Sequence, residues 1–346
     1  MTELDELGSV GVDVDSIAEW MRREGVCRGP IESARRISGG SQNVLVLIEC
    51  AGQEMVLRRP PVHKRANSDD TMRREVLVLQ TLAGTSVPHP RLIAACTDLD
   101  VTGAAFYLME RVAGTDIDTA LAATEDRRSA ARSIGFSVAD AAAELASVVL
   151  PRGVAGHLGR PEGWLERQVG RWRRQLESYE ELPGYTGPAD LGPVDEVGAW
   201  LDRHRPDEFS PGLIHGDFHL GNLMYSNDPP EVCAIVDWEL STIGDPLLDL
   251  AHMLATWPDG RHAPPVRAVL ADLPSIDEVV ARYVERSGRD VGDLGWYRVL
   301  ACYRLGIILE GTKARADGGR APRLVGDRLH DVAVTLFDQA RRLALP

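Results

Sequence analysis

The sequence predicts an α+β protein in which a small lobe, with an antiparallel sheet and one main helix, precedes a large and mostly helical lobe. Two observations carry this prediction. Runs typical of strands concentrate in the first third of the 346-residue chain, whereas most of the remainder shows apolar residues at helical spacing. A chain of this length also exceeds what one hydrophobic core usually organises. We therefore expect two lobes, residues 1–112 and 113–346, joined near residues 110–114.

The first lobe is expected to hold an N-terminal helix, a strand hairpin and the main helix. The runs NVLVLIEC and QEMVLRR are rich in strand-forming residues, and Ala51 and Gly52 between them predict a hairpin turn. The segment 68–84 starts with a capping Ser and Asp and ends at a Gly, as helices do. Its apolar residues recur at helical spacing: Met72, Val76, Leu79 and Leu82. The run AAFYLMERV then predicts a buried strand.

The second lobe is predicted to be helical except over residues 213–238. Three amphipathic runs precede that stretch: SIGFSVADAAAELASVVL, EGWLERQVGRWRRQLESY and VDEVGAWLDRH. Within it, the short apolar runs GLI, NLMY and VCAIVDW predict strands, and the helical pattern returns from residue 276 onward.

Composition and charge limit the classes of function. The net charge is −14, so nucleic acid is not an expected partner, because phosphate binding needs a basic face. No apolar run approaches the roughly 18 residues of a membrane span. The acidic start of the sequence lacks the pattern of a signal peptide. We therefore expect a cytoplasmic protein without a membrane partner.

The cysteines predict neither a disulfide framework nor a structural zinc site. They are odd in number, scattered and never spaced as CxxC. The five residues are Cys27, Cys50, Cys96, Cys233 and Cys302. We expect reduced thiols that are mostly packed in the interior.

The stretch HGDFHLGN, at the centre of the non-helical part, admits two chemistries. Zinc hydrolases use His and Asp ligands at short spacing. The side chains available for such a site are His215, Asp217, His219, His252 and Asp237. This alternative gives Asn222 and the strand before Asp237 no role.

Phosphoryl transfer from a nucleotide accounts for more of these residues. It needs a carboxylate that orients the attacking hydroxyl and oxygen ligands that hold Mg²⁺. Asp217 and Asn222 reproduce the Asp-x4-Asn spacing of a kinase catalytic loop. Asp237 follows a predicted hairpin and ends a strand, where the second magnesium carboxylate is expected. The combination favours an ATP- and Mg²⁺-dependent kinase over the hydrolase.

The run HGDFHLGNLMY…AIVDWELSTIGDPLLDLA resembles the aminoglycoside phosphotransferase (APH) family of kinase-like enzymes. It is most similar to the branch related to the kinase-like domains of some acyl-CoA dehydrogenase fusion proteins. Further matching motifs extend over nearly the whole chain: GGSQNVLV, VLRRPP, FYLMERVAGT, GWLERQVGRW and WYRVLACYRLGIILEG. The resemblance implies a two-lobed protein-kinase-like fold. It also implies that Asp217 is the catalytic aspartate and that Asn222 and Asp237 bind Mg²⁺.

The nucleotide side departs from the broad kinase pattern. A kinase pairs a strand lysine with a helix glutamate at the α/β-phosphates, and the expected strand has no lysine. Arg58 takes that position, because strand alternation puts Arg59 on the other face, and the resembling branch commonly carries arginine here too. Glu75 is the expected partner on the main helix. The alternatives are a solvated arginine, a surface ion pair, or Arg59 as the phosphate ligand.

The glycine-rich run 38–43 precedes a strand rather than a helix, which excludes a P-loop and suits a flap over phosphates. Gly39 and Gly40 permit a close backbone approach, and Ser41 and Asn43 complete the expected flap. An ordinary turn is the alternative.

Five further residues have expected supporting roles. By resemblance alone, backbone groups of Glu110 and Val112 bond the adenine base. We expect His215 to brace the catalytic loop and Asp249 to support that loop from the following helix. Asp245 is expected to cap the same helix.

The acceptor of the phosphate is the least constrained part of the prediction. The second lobe carries −11 of the net charge, which suits a cationic aminoglycoside. The resembling branch suggests a hydroxyacyl-CoA as the acceptor. Its phosphates would contact Arg167, Arg171 and Arg174. The alternative is that these arginines form only a solvated face of the helix. Other small alcohols are alternative acceptors. An alternative function is a degenerate kinase fold that binds a ligand without catalysis. The sequence leaves the oligomeric state open.

Overall fold

The structure is a computed structural model that describes residues 7–37, 43–64, 66–258, 270 and 272–345. It consists of two compact units: Met1–Thr115 with Cys233–Ser241, and Asp116–Val232 with Thr242–Pro346. The sequence assigned residues 233–241 to the second lobe, whereas here they belong to the first unit.

Hydrogen bonds within the first unit explain this placement. The backbone N–H of Ile235 donates to the carbonyl of Pro88 at 2.8 Å. The guanidinium of Arg74 donates to the carbonyl of Glu239, also at 2.8 Å. These bonds join positions that lie far apart in the chain, and hydropathy patterns carry no signal for them.

The first unit is built on a five-stranded antiparallel sheet in the order β1-β2-β3-β5-β4. Its strands are β1 (Ile31–Ile37), β2 (Val44–Cys50), β3 (Gln53–Arg59), β4 (Leu92–Cys96) and β5 (Phe106–Glu110). Helix α1 (Val14–Arg23) and the main helix α2 (Ser68–Leu82) accompany the sheet. Trp20 of α1 packs edge-on against Phe106 of β5, with 4.8 Å between ring centroids, so α1 contributes to the same core as the strands.

The predicted hairpin between β2 and β3 is confirmed. The two strands pair antiparallel from Val44 opposite Arg59 to Cys50 opposite Gln53. Ala51 has φ 52° and Gly52 has φ 70°. A two-residue turn with positive φ at both positions matches the twist of an antiparallel pair, so this local signal sufficed to fix the register of Arg58.

The main helix begins and ends where the sequence indicated, with two differences. Asn67 is its N-cap residue and makes no side-chain capping bond. Val78 is fully buried, whereas Val76 is half-buried. The buried face also contains Glu75, whose exposed fraction is 0%. A carboxylate in this position requires a partner, because an unpaired buried charge is strongly unfavourable.

The expectation that all five cysteines are reduced is wrong for Cys27 and Cys50, which form a disulfide. The pairing of β1 with β2 brings the loop before β1 next to the end of β2. This leaves 6.4 Å between the two Cα atoms, within the range that a disulfide spans. Spacing in the sequence does not reveal this contact. The other cysteines, Cys96, Cys233 and Cys302, are free thiols.

The second unit is mainly helical, as predicted. Its helices are α3 (Ile117–Ala122), α4 (Arg127–Ala146), α5 (Ala155–Leu158), α6 (Trp164–Glu177), α7 (Val194–Arg203), α8 (Leu247–Ala255), α9 (Ile276–Ser287), α10 (Leu294–Asp317) and α11 (Arg323–Ala344). Its short strands are β6 (Gly212–Ile214), β7 (Leu223–Tyr225) and β9 (Thr242–Gly244), and β8 (Val232–Ile235) crosses the boundary between the units. None of the helices in the described part of the chain has the length and apolarity to cross a membrane.

The short strands place the loop 215–222 beside two helices. β6 pairs antiparallel with β9, and α8 starts shortly after β9. Helix α10 packs against α8. Polar side chains from α8 and α10 therefore reach the loop that follows β6, which is the loop that the sequence singled out.

Candidate active site

Asp217 lies in the loop between β6 and β7, and neighbouring side chains approach both of its carboxylate oxygens. His252 Nε2 lies 3.1 Å from Oδ1, and His219 Nε2 lies 3.5 Å from Oδ2. The Asn222 amide donates to Oδ2 at 3.0 Å and to the main-chain carbonyl of Asp217 at 2.9 Å. These contacts fix the orientation of the carboxylate, while 29% of the side chain stays exposed to receive another group.

The carboxylate of Asp217 is ionised over the whole physiological range. Burial alone would raise its pKa, but the close imidazoles of His219 and His252 outweigh burial and hold the pKa well below its usual range. Such a group is a weak base and a firmly oriented anion. It is suited to aligning a hydroxyl group through a hydrogen bond rather than to removing its proton early.

The side chain of Asn222 presents an oxygen away from Asp217. Its Nδ2 faces two oxygens of Asp217, so its Oδ1 must lie on the opposite side of the amide. An amide oxygen next to a carboxylate is the type of hard ligand that Mg²⁺ takes. The residue therefore fits the metal-binding role predicted for it.

Both histidines of the sequence motif also hold the loop. The ring of His215 is fully buried, and its Nδ1 accepts the backbone N–H of Asp217 at 3.2 Å. His219 Nδ1 accepts the backbone N–H of Gly221 at 3.0 Å and caps the short helical turn that contains Asn222. Each ring thus has one nitrogen engaged by the main chain of the loop.

Asp249 of α8 holds the start of the loop. Its two carboxylate oxygens accept the backbone N–H groups of His215 at 2.6 Å and Gly216 at 2.9 Å. Burial raises the pKa of Asp249 to about 7, against the effect of these two bonds. Gly216 has φ 81°, a conformation that glycine adopts readily. Asp245 accepts the N–H of Leu247 at the start of α8 at 2.9 Å.

We expect the Asp249→Ala variant to lose both stability and turnover. Two buried N–H groups at the start of the loop would have no acceptor, at about 1–3 kcal/mol each. The free energy of unfolding, measured by urea denaturation, should fall accordingly, and kcat should fall because the loop moves. Asp245→Ala is the matched control, since Asp245 bonds Leu247 and the Tyr297 hydroxyl instead of the loop. Equal effects of both variants on kcat would contradict the anchoring role.

Two residues that the sequence motif did not reveal complete this part of the site. The sequence suggests His252 on α8 only as a zinc ligand, and it does not single out Arg304 on α10. Both are buried. Arg304 donates to the carbonyl of Gly216, and its Nη1 lies 3.3 Å from His252 Nδ1. The sequence offers one sign of Arg304, which is that a single arginine stands within the apolar run CYRLGIIL.

The zinc alternative finds no ligand set in the residues that the structure describes. In that part of the chain, no group of three or more His, Cys, Asp or Glu side chains has an arrangement that could hold a metal ion. His215 directs Nδ1 at a backbone N–H, and His252 faces an arginine and a carboxylate. The observed contacts of these two histidines are thus with groups of the protein itself.

In the first unit, Arg58 joins the main helix to the segment after β8. Its Nε lies 2.9 Å from Glu75, and its Nη2 lies 2.6 Å from Asp237. Burial opposes the charge of Arg58, but the negative groups around it, with Glu75 foremost, raise its pKa above the usual value. The hydroxyl of Tyr107 donates to Glu75 at 2.8 Å. A buried cation is thus held between two carboxylates.

Asp237 has a left-handed backbone conformation, which is uncommon for residues other than glycine. Its φ of 68° and ψ of 62° are left-handed, which costs a residue with a Cβ about 1–2 kcal/mol. Its side chain is 37% exposed although it pairs with Arg58. A strained backbone that presents an accessible carboxylate is typical of functional positions. The residue fits an oxygen ligand for Mg²⁺.

Glu239 was not predicted by the sequence, although it stands two residues after Asp237. Burial and the nearby charge of Asp237 raise its pKa to about 7. Asn43 donates its side-chain amide to Glu239 at 3.0 Å. The end of the predicted flap is therefore bound to the same segment as Asp237. Gly39, Gly40 and Ser41 lie outside the described residues.

Arg59 has partners of a different kind. Its guanidinium donates to the carbonyls of Pro60 at 3.2 Å and Thr102 at 3.5 Å. Of the two neighbouring arginines, Arg58 is the one that pairs with Glu75. The alternation of β3 that the sequence indicated accounts for this difference.

The expected adenine-binding segment has its backbone partly engaged. The N–H of Glu110 donates to the carbonyl of Arg91 at 2.9 Å, and the carbonyl of Val112 accepts the N–H of Gly114 at 3.0 Å. A base would therefore have to use the carbonyl of Glu110 and the N–H of Val112. This contact stays a prediction.

The three arginines of α6 that the sequence suggested for CoA phosphates, Arg167, Arg171 and Arg174, are exposed. Arg167 donates to the carbonyls of Arg160 and Glu162 near the start of the helix. Arg171 lies over the ring of Trp172, with its guanidinium carbon 5.0 Å from the ring centroid. At least Arg167 thus has a structural role.

Comparisons with known proteins find similar sequences and similar folds. The profile of the APH family, described as the phosphotransferase enzyme family, matches residues 33–283. Mouse (Mus musculus) acyl-CoA dehydrogenase family member 10 is 28% identical over 301 residues, which are 85% of this chain and 27% of that protein. The chain thus spans about a quarter of the length of that curated relative.

Two solved structures share the fold. The crystal structure of a candidate aminoglycoside phosphotransferase from Ralstonia eutropha has 29% identity and a TM-score of 0.75, covering 95% of this chain and 98% of that one. A ternary complex of aminoglycoside phosphotransferase APH(4)-Ia with AMP-PNP and hygromycin B has 15% identity and a TM-score of 0.60, covering 92% and 98%. At this identity the second likeness concerns the fold alone. The predicted kinase-like α+β fold is confirmed.

Proposed function

Since the chain belongs to the APH family of phosphotransferase enzymes, we propose that it transfers the γ-phosphate of ATP to a hydroxyl group of a small molecule. The environment of Asp217 is the observation that carries this proposal. It is an ionised, oriented and accessible carboxylate in an Asp-x4-Asn loop, and phosphoryl transfer requires such a group beside the attacking oxygen. The structure of similar fold that was solved with AMP-PNP supports a nucleotide as donor.

In this proposal, Asp217 accepts a hydrogen bond from the acceptor hydroxyl and aligns its oxygen with the γ-phosphorus. The new P–O bond forms as the bond from phosphorus to the β,γ-bridging oxygen breaks, and ADP leaves. The hydroxyl proton passes to Asp217 late, because the alcohol oxygen becomes acidic only as it bonds to phosphorus, and Asp217 is a weak base. A loose transition state of this kind depends on alignment and electrostatics more than on base strength.

Asn222 and Asp237 would hold Mg²⁺, which would neutralise charge on the phosphates of ATP. The fit rests on their own contacts. The amide orientation of Asn222 leaves its oxygen for a cation. Asp237 is an exposed carboxylate held by Arg58 and set in a strained backbone. Oxygen ligands from one carboxylate and one amide suit Mg²⁺ better than softer metals.

Arg58 would contact the α/β-phosphates in place of the usual lysine. It is held as a cation by Glu75, and a planar guanidinium bonds phosphate oxygens in pairs. Asn43, bound to Glu239, would fix the end of the flap over the phosphates. Backbone groups of Glu110 and Val112 would bond the base.

The acceptor we propose is a small alcohol, with a hydroxyacyl-CoA ahead of an aminoglycoside. The named relationship to an acyl-CoA dehydrogenase family member supports this order, and Arg171 and Arg174 on the exposed side of α6 supply cations for CoA phosphates. A catalytically weak ligand-binding protein is the alternative, which the missing lysine favours.

A binding assay and an acceptor screen test the proposal together. ATP with Mg²⁺ should raise the melting temperature, and Mg²⁺-free ATP should do so less. A screen of 3- and 4-hydroxyacyl-CoAs, aminoglycosides, choline and sugars should reveal ATP-dependent phosphorylation of one class. Nucleotide binding with no turnover above slow ATP hydrolysis would favour the ligand-binding alternative. Absence of any nucleotide binding would overturn the proposal.

A further inference from the structure

Two buried polar side chains from outside the sequence motif meet at the catalytic loop. His252 has an exposed fraction of 0% and Arg304 has 5%. Arg304 lies between His252 and the carbonyl of Gly216, and His252 lies between Arg304 and Asp217. Burying an arginine and an imidazole side by side is unfavourable unless their contacts compensate. The pair therefore calls for an explanation beyond packing.

We propose that Arg304 fixes the tautomer of His252, and that His252, as a neutral Nε2–H donor, positions Asp217 for phosphoryl transfer. The transfer step rests on the proposed function, whereas the tautomer is a property of the protein alone. His252 is a positioning residue in this scheme, because it acts through Asp217 and does not touch the substrate.

The donor chemistry of arginine assigns the tautomer. A guanidinium only donates hydrogen bonds. Arg304 Nη1 lies 3.3 Å from Nδ1 of His252, so Nδ1 must be the unprotonated, accepting nitrogen. A neutral ring then carries its proton on Nε2. This nitrogen makes no well-aligned hydrogen bond in the structure, and Oδ1 of Asp217, 3.1 Å away, is the acceptor within its reach.

The surroundings keep the ring neutral. A second proton on Nδ1 would face the guanidinium of Arg304, and burial lowers the pKa of His252 to about 4. Burial also lowers the pKa of Arg304, to about 10, while Asp217 and Asp249 favour its charged form. Arginine thus remains the cation and histidine the neutral donor.

The same arginine also holds the main chain beside Asp217. It donates to the carbonyl of Gly216, the residue immediately before the catalytic aspartate. Its guanidinium carbon lies 5.2 Å from the ring centroid of Trp172 on α6. The ring limits the freedom of the guanidinium from one side. Arg304 therefore holds the position of the backbone next to Asp217 and, through His252, the orientation of the Asp217 side chain.

Nitrogen NMR of the histidines tests the tautomer without any substrate. In protein labelled with ¹⁵N-histidine at pH 7, we expect His252 to show a proton on Nε2 and none on Nδ1, with the signal assigned by its loss in His252→Gln. A proton on Nδ1, or on both nitrogens, would overturn the proposal. This outcome does not depend on whether any acceptor is phosphorylated.

Kinetics of two His252 variants test positioning. His252→Phe retains the ring without a donor, and His252→Gln retains a side-chain N–H. We expect His252→Phe to lower kcat roughly tenfold to a hundredfold, the size known for outer hydrogen-bonding partners at metal sites, with little change in the KM for ATP. His252→Gln should recover part of kcat. Equal values of kcat in the two variants would contradict positioning by the donor.

Arg304→Met should let the His252 proton exchange between the two nitrogens, which the same NMR experiment detects. Arg289→Met is the control, because Arg289 donates to the carbonyl of Ala146, away from the loop, and should leave the His252 signal unchanged. If Arg304→Met does not fold, Arg304→Lys retains a donor and should keep the Nε2 proton. An Nδ1 proton in Arg304→Lys, or an unaltered tautomer in folded Arg304→Met, would contradict the role of Arg304. Failure to phosphorylate any acceptor would count against the proposed function alone.

Discussion

The Asp217→Asn variant should lose phosphoryl transfer by about 10²–10⁴-fold, the range for removal of a positioned acid–base group. An asparagine has the same shape but offers one oxygen where the aspartate has two. The amide nitrogen would face either the donor on Asn222 or the donor on His252, since both carboxylate oxygens are contacted in the structure. The acceptor hydroxyl would lose its anionic partner. Initial rates with saturating ATP and acceptor measure the effect.

Two further measurements make this result specific to catalysis. The variant should retain the helical circular dichroism of the parent and the increase in melting temperature with ATP and Mg²⁺. Asp195→Asn is the control, because the side chain of Asp195 is 98% exposed in the same unit and surface changes rarely matter. Full transferase activity in Asp217→Asn would overturn the assignment of Asp217.

The Arg58→Met variant should lose about 3–5 kcal/mol of unfolding free energy, the usual cost of removing one partner of a buried ion pair. Glu75 would remain buried with an exposed fraction of 0%, and the Tyr107 hydroxyl would be its remaining donor among the described residues. Urea denaturation measures this loss. We also expect the KM for ATP to rise, because the cation proposed for the α/β-phosphates is absent.

A double variant separates the structural and functional roles of Arg58. In Arg58→Met/Glu75→Met, neither charge is buried, so most of the lost stability should return, as it does when whole buried ion pairs are replaced by apolar residues. ATP use should not return. A double variant with normal KM for ATP would show that Arg58 acts only on stability.

Arg59→Met is the comparison within the same strand. Arg59 is equally buried but bonds main-chain carbonyls, so this change should affect stability with little effect on the KM for ATP. A larger rise in the KM for ATP in Arg59→Met than in Arg58→Met would mean that Arg59, and not Arg58, contacts the phosphates.

Local signals in the sequence predicted the elements around both arginines. The turn at Ala51 and Gly52 fixed the hairpin, and the hairpin fixed which face of β3 carries Arg58. The helical spacing of Met72 and Leu79 located the main helix and brought Glu75 to its buried side. These features depend on steric preferences of a few neighbouring residues, which is why the sequence alone sufficed.

Contacts between distant segments could not be predicted in this way. The disulfide between Cys27 and Cys50 depends on how β1 pairs with β2. The bond between Ile235 and Pro88 places the segment after β8 in the first unit. Neither position has a spacing or a composition that marks its partner, since both contacts arise only from chain topology.

The sequence by itself determined which class of chemistry to expect, because the spacing from Asp217 to Asn222 and the hairpin before Asp237 are local properties of the chain. Only the tertiary structure decided how Asp217 is held. His252 and Arg304 come from helices that follow the loop at a distance, and their effect depends on burial and on the direction of hydrogen bonds. Such electrostatic contacts act through space, so no local pattern of residues encodes them.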